Sequence, residues 1–135
     1  MITLTPYLNF DGDCREALTL YAKILGGEIE AMQSHADSPM KDQTPPEWRD
    51  KILHARLKVG SQVLMASDAP PQHYTPAGAY YISIGTTDPA EADRIYAALA
   101  EGAKQIDMPM QQTFWARKFA MFKDRFGTPW MINCE

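Results

Sequence analysis

The sequence predicts an α+β fold that is built from two copies of one β-α-β-β-β module. Two stretches mark the copies, 13–22 and 88–97, because Asp, Glu, Ala and Tyr recur in them at matching positions. Strand-like runs follow each stretch in the same order, and each set closes on a hairpin signal centred on glycine. Two copies are too few for a solenoid, so we expect a duplicated module with pseudo-twofold symmetry.

Each of the two stretches has the marks of a helix that begins at an aspartate. Asp13 and Asp88 fit the N-cap position, and a glutamate follows each of them three residues later, as in a capping box. Apolar residues then recur every three or four positions, which is the period of an amphipathic helix. Glycines at 26–27 and at 102 are expected to end the two helices.

Strand-like runs precede and follow both predicted helices. They cover 2–10, 28–34, 52–59 and 62–67 in the first module, and 80–84, about 104–108 and two final runs in the second. The segment 35–50 is polar and contains prolines, which predicts a long loop of the kind that often covers a binding site. We therefore expect one domain with modules at 1–68 and 79–135, joined by a proline-rich connector.

Composition excludes several classes of function. A formal charge of −4 without a basic run argues against nucleic acid or an anionic membrane as the main partner. The two cysteines form neither a C-x-x-C pair nor a metal-binding spacing, and no apolar run approaches the length of a membrane span. The first residues are strand-like rather than typical of a signal peptide, so we expect a cytoplasmic protein.

Several short motifs resemble those of one protein family. They are Pro6-Tyr-Leu-Asn-Phe10, Gly26-Gly-Glu28, His54-Ala55, Val63-Leu-Met-Ala-Ser-Asp68, Thr113-Phe-Trp-Ala116 and Asp124-Arg-Phe-Gly127 followed by Trp130. With these motifs the chain resembles the PhnB-like branch of the glyoxalase/bleomycin-resistance, or vicinal oxygen chelate, superfamily along essentially its whole length. The resemblance implies a cupped, mixed eight-stranded sheet with helices on its outer face, a small-molecule ligand and a homodimer.

Metal-dependent members of that superfamily hold their ion with four inward residues, usually two His and two Glu, one from each of four strands. Carried across to this sequence, these positions fall on Pro6, Met65 (or Leu64 in a register slipped by one residue), Tyr81 and Met131. Proline has no side-chain donor atom, and a thioether binds Mg²⁺ or Mn²⁺ poorly. We therefore expect the family metal site to be absent and no cofactor to be required.

Strand alternation gives the candidate site residues of the first module. If Met65 faces inward, Ser67 does too, and a tight turn at 60–61 brings His54 onto the same face. His54 is the candidate acid/base residue, because histidine has an ordinary pKa near neutrality. A hydrogen-bonded structural histidine is the alternative that the sequence favours, because no residue nearby in sequence supplies the carboxylate that orients a catalytic base. The same alternation sends Asp68 to the opposite face.

The second module supplies the remaining candidate ligand contacts. Tyr81 and Ser83 are expected to project inward from one strand and to offer hydroxyl groups, and Met131 is expected to line the same surface. Trp115 lies among polar residues, where an irregular segment can place it at the rim of a site.

The sequence thus favours a metal-free small-molecule-binding protein, either a binding protein or a cofactor-free enzyme with His54 as its base. One alternative is a metal-dependent lyase, isomerase or dioxygenase with displaced ligands such as His54, Asp68 and His73. A cup filled by its own methionines is a second alternative. The family is also labelled 3-demethylubiquinone-9 3-methyltransferase, but the chain lacks the G-x-G turn that S-adenosylmethionine usually requires.

Overall fold

The computed structural model describes residues 1–135, which form two compact units, Met1–Tyr74 and Thr75–Glu135. The first contains β1 (Tyr7–Phe10), α1 (Cys14–Leu25), β2 (Glu28–Ser34), β3 (Ile52–Val59) and β4 (Gln62–Asp68). The second contains β5 (Ile82–Thr86), α2 (Pro89–Leu99), β6 (Gln105–Gln111), β7 (Lys118–Lys123) and β8 (Pro129–Cys134). Both units have the predicted β-α-β-β-β order, and the fold class is α+β as expected.

The eight strands pair as two four-stranded mixed sheets with matching topology. The strand orders are β1-β4-β3-β2 and β5-β8-β7-β6. In each sheet the first strand pairs with the last one in parallel, and the other pairs are antiparallel. Because the parallel pair needs a crossover, the helix of each unit is placed on one face of its own sheet.

Alternate strand residues bury one face of each sheet against the helix. The buried positions of the first unit include Leu8, Phe10, Ala55, Leu57 and Ala66 from strands, and Ala17, Leu18, Tyr21 and Ile24 from α1. Those of the second unit include Ala120, Phe122, Trp130 and Ile132 from strands, and Ala92, Ile95 and Leu99 from α2. The opposite face of each sheet, called its helix-free face below, carries the remaining alternate residues.

The start of α1 is held by a residue that the sequence pattern did not indicate. Asp13 occupies the N-cap position, but with φ −116° and ψ 25° its side chain makes no cap hydrogen bond. Instead Asp68, at the end of β4, accepts hydrogen bonds from the backbone N–H groups of Cys14 at 2.9 Å and Ile52 at 2.8 Å. In α2 the prediction is confirmed, since Asp88 accepts the N–H of Ala90 at 3.0 Å.

The Asp-Arg-Phe-Gly-x-x-Trp motif is the turn between β7 and β8. Asp124 is 1% exposed, and its Oδ1 accepts the backbone N–H groups of Phe126 at 2.8 Å and Thr128 at 3.0 Å. Its Oδ2 accepts the indole N–H of Trp130 at 2.8 Å. Gly127 has φ +91°, which favours glycine at that position. The motif therefore stabilises the fold of the second unit.

The first strand and the long loop differ from expectation. Residues 1–6 lie outside β1, which begins after Pro6, and Pro6 lacks the N–H that a strand would pair. The segment 35–50 contains three single-turn 3₁₀ helices, His35–Asp37, Lys41–Gln43 and Pro46–Trp48. No helix of the protein is long and apolar enough to cross a membrane.

Candidate functional site

The helix-free face of the first unit is polar. Met65 is paired with Tyr7 on one side and Arg56 on the other, so these three side chains share a row. In the next row Asn9 is paired with Ser67. His54 and Arg56 are alternate residues of β3, so the His54 side chain lies on the same face. The predicted candidates His54, Met65 and Ser67 therefore lie on one face.

Polar groups on this face bind one another. The Tyr7 hydroxyl lies 3.3 Å from His54 Nδ1, and the Ser67 hydroxyl donates to Asn9 Oδ1 at 3.2 Å. A third contact is an ion pair of 2.9 Å between Arg56 and Glu30, which occupies a bulge in β2. The first unit thus presents a surface whose polar side chains are paired with each other.

The helix-free face of the second unit is more apolar. Met131 is paired with Ser83 and with Met121, and Met121 is paired with Met108, which gives one row across all four strands. The neighbouring row consists, from edge to edge, of Gly85, Asn133, Phe119 and Gln111. Of the predicted candidates, Ser83 and Met131 share the first row, and Tyr81 precedes β5 on the same face.

The register corrects two of the positions assigned to the family metal site. The β1 residue in the row of Met65 is Tyr7 rather than Pro6, and the β5 residue in the row of Met131 is Ser83 rather than Tyr81. The reason is that Pro6 and Tyr81 both lie just before their strands begin. The corrected positions still offer two thioethers and two hydroxyls, a set that does not fit a hard divalent cation.

The displaced-ligand arrangement is not supported by the geometry of the first unit. Asp68 is buried on the helix side, where its two oxygens accept backbone N–H groups, and it therefore points away from His54. Within each unit, no group of three or more His, Cys, Asp and Glu side chains is close enough to hold a metal ion. Nor is Cys14 a plausible nucleophile, because its complete burial raises the pKa of its thiol.

Trp115 lies at the tip of the β6–β7 connection. Its indole is 48% exposed and packs edge to face on Phe119, with ring centroids 5.1 Å apart. The loop is closed by Thr113, which donates its N–H to the carbonyl of Ala116 at 3.0 Å and accepts the N–H of Ala116 on its hydroxyl. The loop thus places an aromatic ring beside Phe119 on the helix-free face.

Tyr81 makes a contact that the sequence did not indicate. Its hydroxyl donates to Asp107 Oδ2 at 2.6 Å, and Gln105 donates to the other carboxylate oxygen. Asp107 lies in a β6 bulge, at the position that Glu30 takes in β2. The Tyr81 and Gln105 hydrogen bonds hold the pKa of Asp107 below its ordinary value, and the Asp107 hydrogen bond raises the pKa of Tyr81.

Removing the Tyr81 hydroxyl should raise the pKa of Asp107. In the Tyr81→Phe variant the Asp107 carboxylate loses its principal hydrogen-bond donor, so its pKa moves up toward the ordinary 3.8.

The wild-type pair of Tyr81 and Asp107 stabilises the fold at pH values above the unfolded Asp pKa and below the ordinary Tyr pKa of 10.0. That contribution is lost as pH falls through the lowered Asp107 pKa, or rises through the raised Tyr81 pKa. Carboxyl ¹³C NMR titration measures the shift, and an unchanged Asp107 pKa in Tyr81→Phe would contradict the contact.

Sequence reasoning missed Tyr7, Asp107 and Asn133 as members of these faces. The alternation of β1 contained the signal for Tyr7, since Leu8 and Phe10 are the buried residues. Asp107 had no local signal, because a bulge changes which residues share a face. Asn133 follows Met131 by two residues and shares its face by the ordinary strand period.

The comparisons with known proteins agree with one another. Residues 2–133 match the family described as 3-demethylubiquinone-9 3-methyltransferase. The protein YjdN of Escherichia coli (strain K12) is 33% identical over an alignment of 138 residues, gaps included, which covers 96% of this chain and 93% of the relative. Protein PA1353 from Pseudomonas aeruginosa is 49% identical with a TM-score of 0.90, over 100% of this chain and 98% of that one.

Two further structures share the fold at lower identity. The putative 3-demethylubiquinone-9 3-methyltransferase, PhnB protein, from Bacillus cereus has a TM-score of 0.85 at 22% identity, over 99% of this chain and 100% of that one. A glyoxalase family protein from Enterococcus faecalis has a TM-score of 0.60 at 16% identity, over 98% and 95% of the two chains. These likenesses confirm the expected glyoxalase/bleomycin-resistance fold.

Proposed function

The chain belongs to the 3-demethylubiquinone-9 3-methyltransferase family, the PhnB-like branch of the glyoxalase superfamily, and we propose that it binds a small, mostly apolar molecule without a metal ion. The observation that carries the proposal is the methionine row of the second unit, Met131, Met121 and Met108 beside Ser83. Thioether side chains adapt to varied apolar shapes, and a few hydroxyl groups beside them orient a ligand.

Tyr81, Ser83, Trp115 and Met131 are the proposed ligand contacts of the second unit. Met65 occupies the position in the first unit that Met131 has in the second, because each is paired with the parallel edge strand. We also propose Met65 and its neighbour Ser67 as ligand contacts on the helix-free face of the first unit, taken by itself.

Methyl transfer is not the activity that these residues favour. The turns from strand to helix, at Asp11–Asp13 and Thr87–Asp88, carry a single glycine between them, Gly12. The carbonyl oxygen of Gly12 accepts a hydrogen bond of 2.9 Å from the Lys51 ammonium. A methyl donor such as S-adenosylmethionine usually needs a turn with several glycines, where the backbone approaches the cofactor. The family description therefore does not transfer to this chain as an activity.

A cofactor-free enzyme is the second candidate function. The Tyr7 hydroxyl, 3.3 Å from Nδ1, can fix the orientation of the His54 ring as a positioning residue. The ring is half-buried and lies on the same face as Ser67. His54 would then move a proton on a bound ligand, with no metal ion taking part. We further propose a homodimer, as the superfamily resemblance implies, and a cytoplasmic location, as the two unpaired cysteines indicate.

Lysine in place of Met131 should weaken the binding of a neutral apolar probe. We expect N-phenyl-1-naphthylamine to bind the wild type with enhanced fluorescence. Its affinity should fall at least about tenfold in Met131→Lys, because an apolar ligand on this face would remove water from the lysine ammonium, and that costs free energy. Ser83→Lys places the charge at an exposed position of the same row and should weaken binding in the same way. It keeps the test decisive if Met131→Lys folds poorly.

The matched control is Ala97→Lys, which adds the same charge on the exposed side of α2. It should bind the probe as the wild type does. Equal probe affinity in the wild type, Met131→Lys and Ser83→Lys would contradict binding on this face.

A further inference from the structure

Equivalent positions of the two units differ in a way that isolates one polar atom. In the first unit Asn9 is paired with Ser67, and the Ser67 hydroxyl donates to Asn9 Oδ1. In the second unit the corresponding pair is Gly85 and Asn133. Because glycine has no side chain, the neighbour that Asn133 would have by symmetry is missing.

The consequence is visible at Asn133 itself. Its Oδ1 atom is buried and accepts no hydrogen bond from any protein group. A buried acceptor without a donor costs free energy, so such an atom in a folded protein calls for an explanation.

Gly85 supplies the second, independent observation. A Cβ atom added there would meet no atom within 4 Å, so the backbone borders open space at this point of the strand. Its φ is not in the left-handed region, and no conformational requirement for glycine explains it. Glycine in a strand interior often marks a place where a ligand approaches the backbone closely.

We propose that Gly85 and Asn133 form the polar end of the binding site, where Asn133 Oδ1 accepts a hydrogen bond from the ligand. The inference rests on the proposed function, because Phe119 and the methionine row surround the same position. Phe119 is paired with Asn133 and packs against Trp115, so aromatic rings border the acceptor. The ligand class is therefore a small, flat, neutral molecule with one N–H or O–H donor.

Indole and benzofuran test the proposal, because they have the same shape and differ in one atom, an N–H group against an ether oxygen. We label the methionine methyl groups with ¹³C and titrate the wild type with each probe to the order of 10 mM, the range expected for fragments of this size. Indole should shift the Met121 and Met131 signals and bind about tenfold more tightly than benzofuran.

Two variants complete the test. Gly85→Asn restores the side chain found at Asn9, lets the amide donate to Asn133 and should abolish indole binding in a folded protein. Asn133→Leu should remove the difference between the two probes. Ala97→Asn, on the exposed side of α2, is the control that should leave both affinities unchanged.

Equal binding of indole and benzofuran to the wild type, or indole binding that survives Gly85→Asn, would overturn the inference. The absence of methyl shifts with either probe would overturn it as well. These failures are distinct from failure of the proposed function, which is decided by whether N-phenyl-1-naphthylamine binding depends on Met131.

Discussion

Alanine in place of Asp124 should lower the free energy of unfolding by about 3–5 kcal/mol, because three donors then lose their acceptor. Two are backbone N–H groups of the turn, at Phe126 and Thr128, and the third is the indole N–H of Trp130. The carboxylate is 1% exposed, so water cannot replace it without opening the turn. Urea denaturation of both proteins measures the difference, with equal m-values required.

A double-mutant cycle separates the contribution of the indole. Asp124→Asn keeps Oδ1 for the two turn amides but presents an amide N–H to Trp130, so it should cost less than alanine. In a Trp130→Phe background the same substitution should cost still less, because the opposing donor is gone. A cost of Asp124→Ala below about 0.5 kcal/mol would contradict the role of the motif, because that is the size of an ordinary surface effect.

Alanine in place of Asp68 should lower the free energy of unfolding by about 3 kcal/mol. Its two oxygens accept the N–H of Cys14 at the start of α1 and the N–H of Ile52 at the start of β3. Both partners are fully buried, so each N–H would be left without an acceptor. Hydrogen exchange gives a specific signature, since the Cys14 and Ile52 amides should lose protection before those of β7 and β8 do.

Two controls accompany the Asp68 experiment. Asp68→Asn retains a single acceptor oxygen and should cost about half as much as alanine. Asp93→Asn removes an aspartate from an exposed ion pair of 2.8 Å with Lys118, and should cost less than about 1 kcal/mol. Similar losses in Asp68→Ala and Asp93→Asn would mean that net charge, rather than the two buried hydrogen bonds, explains the effect.

The fold was predictable because its signals are local and repeated. Helix periodicity, the Asp88 cap and the glycine after α1 depend on neighbours within a few residues, and Gly26 has the expected left-handed φ of 68°. The Asp68 cap was not predictable, since Cys14 lies 54 residues away and only the parallel β1–β4 pairing brings the two together. A local pattern favoured Asp13 instead.

The site was predictable only in part, because strand ends and bulges decide which side chains share a row. The faces of His54, Met65, Ser83 and Met131 follow from alternation within regular strands. The contact of Tyr81 with Asp107 depends on a bulge in β6, and it joins the residue just before one edge strand, β5, to a residue of the other edge strand, β6. No periodic pattern in the sequence encodes such a contact.

The most direct measurement is native mass spectrometry of the freshly purified protein, with elemental analysis of the same sample. Metal-free binding of a small molecule predicts a dimer mass with a bound organic compound and far less than about one metal ion per chain. A dimer with about one metal ion per chain and no organic compound would contradict the account.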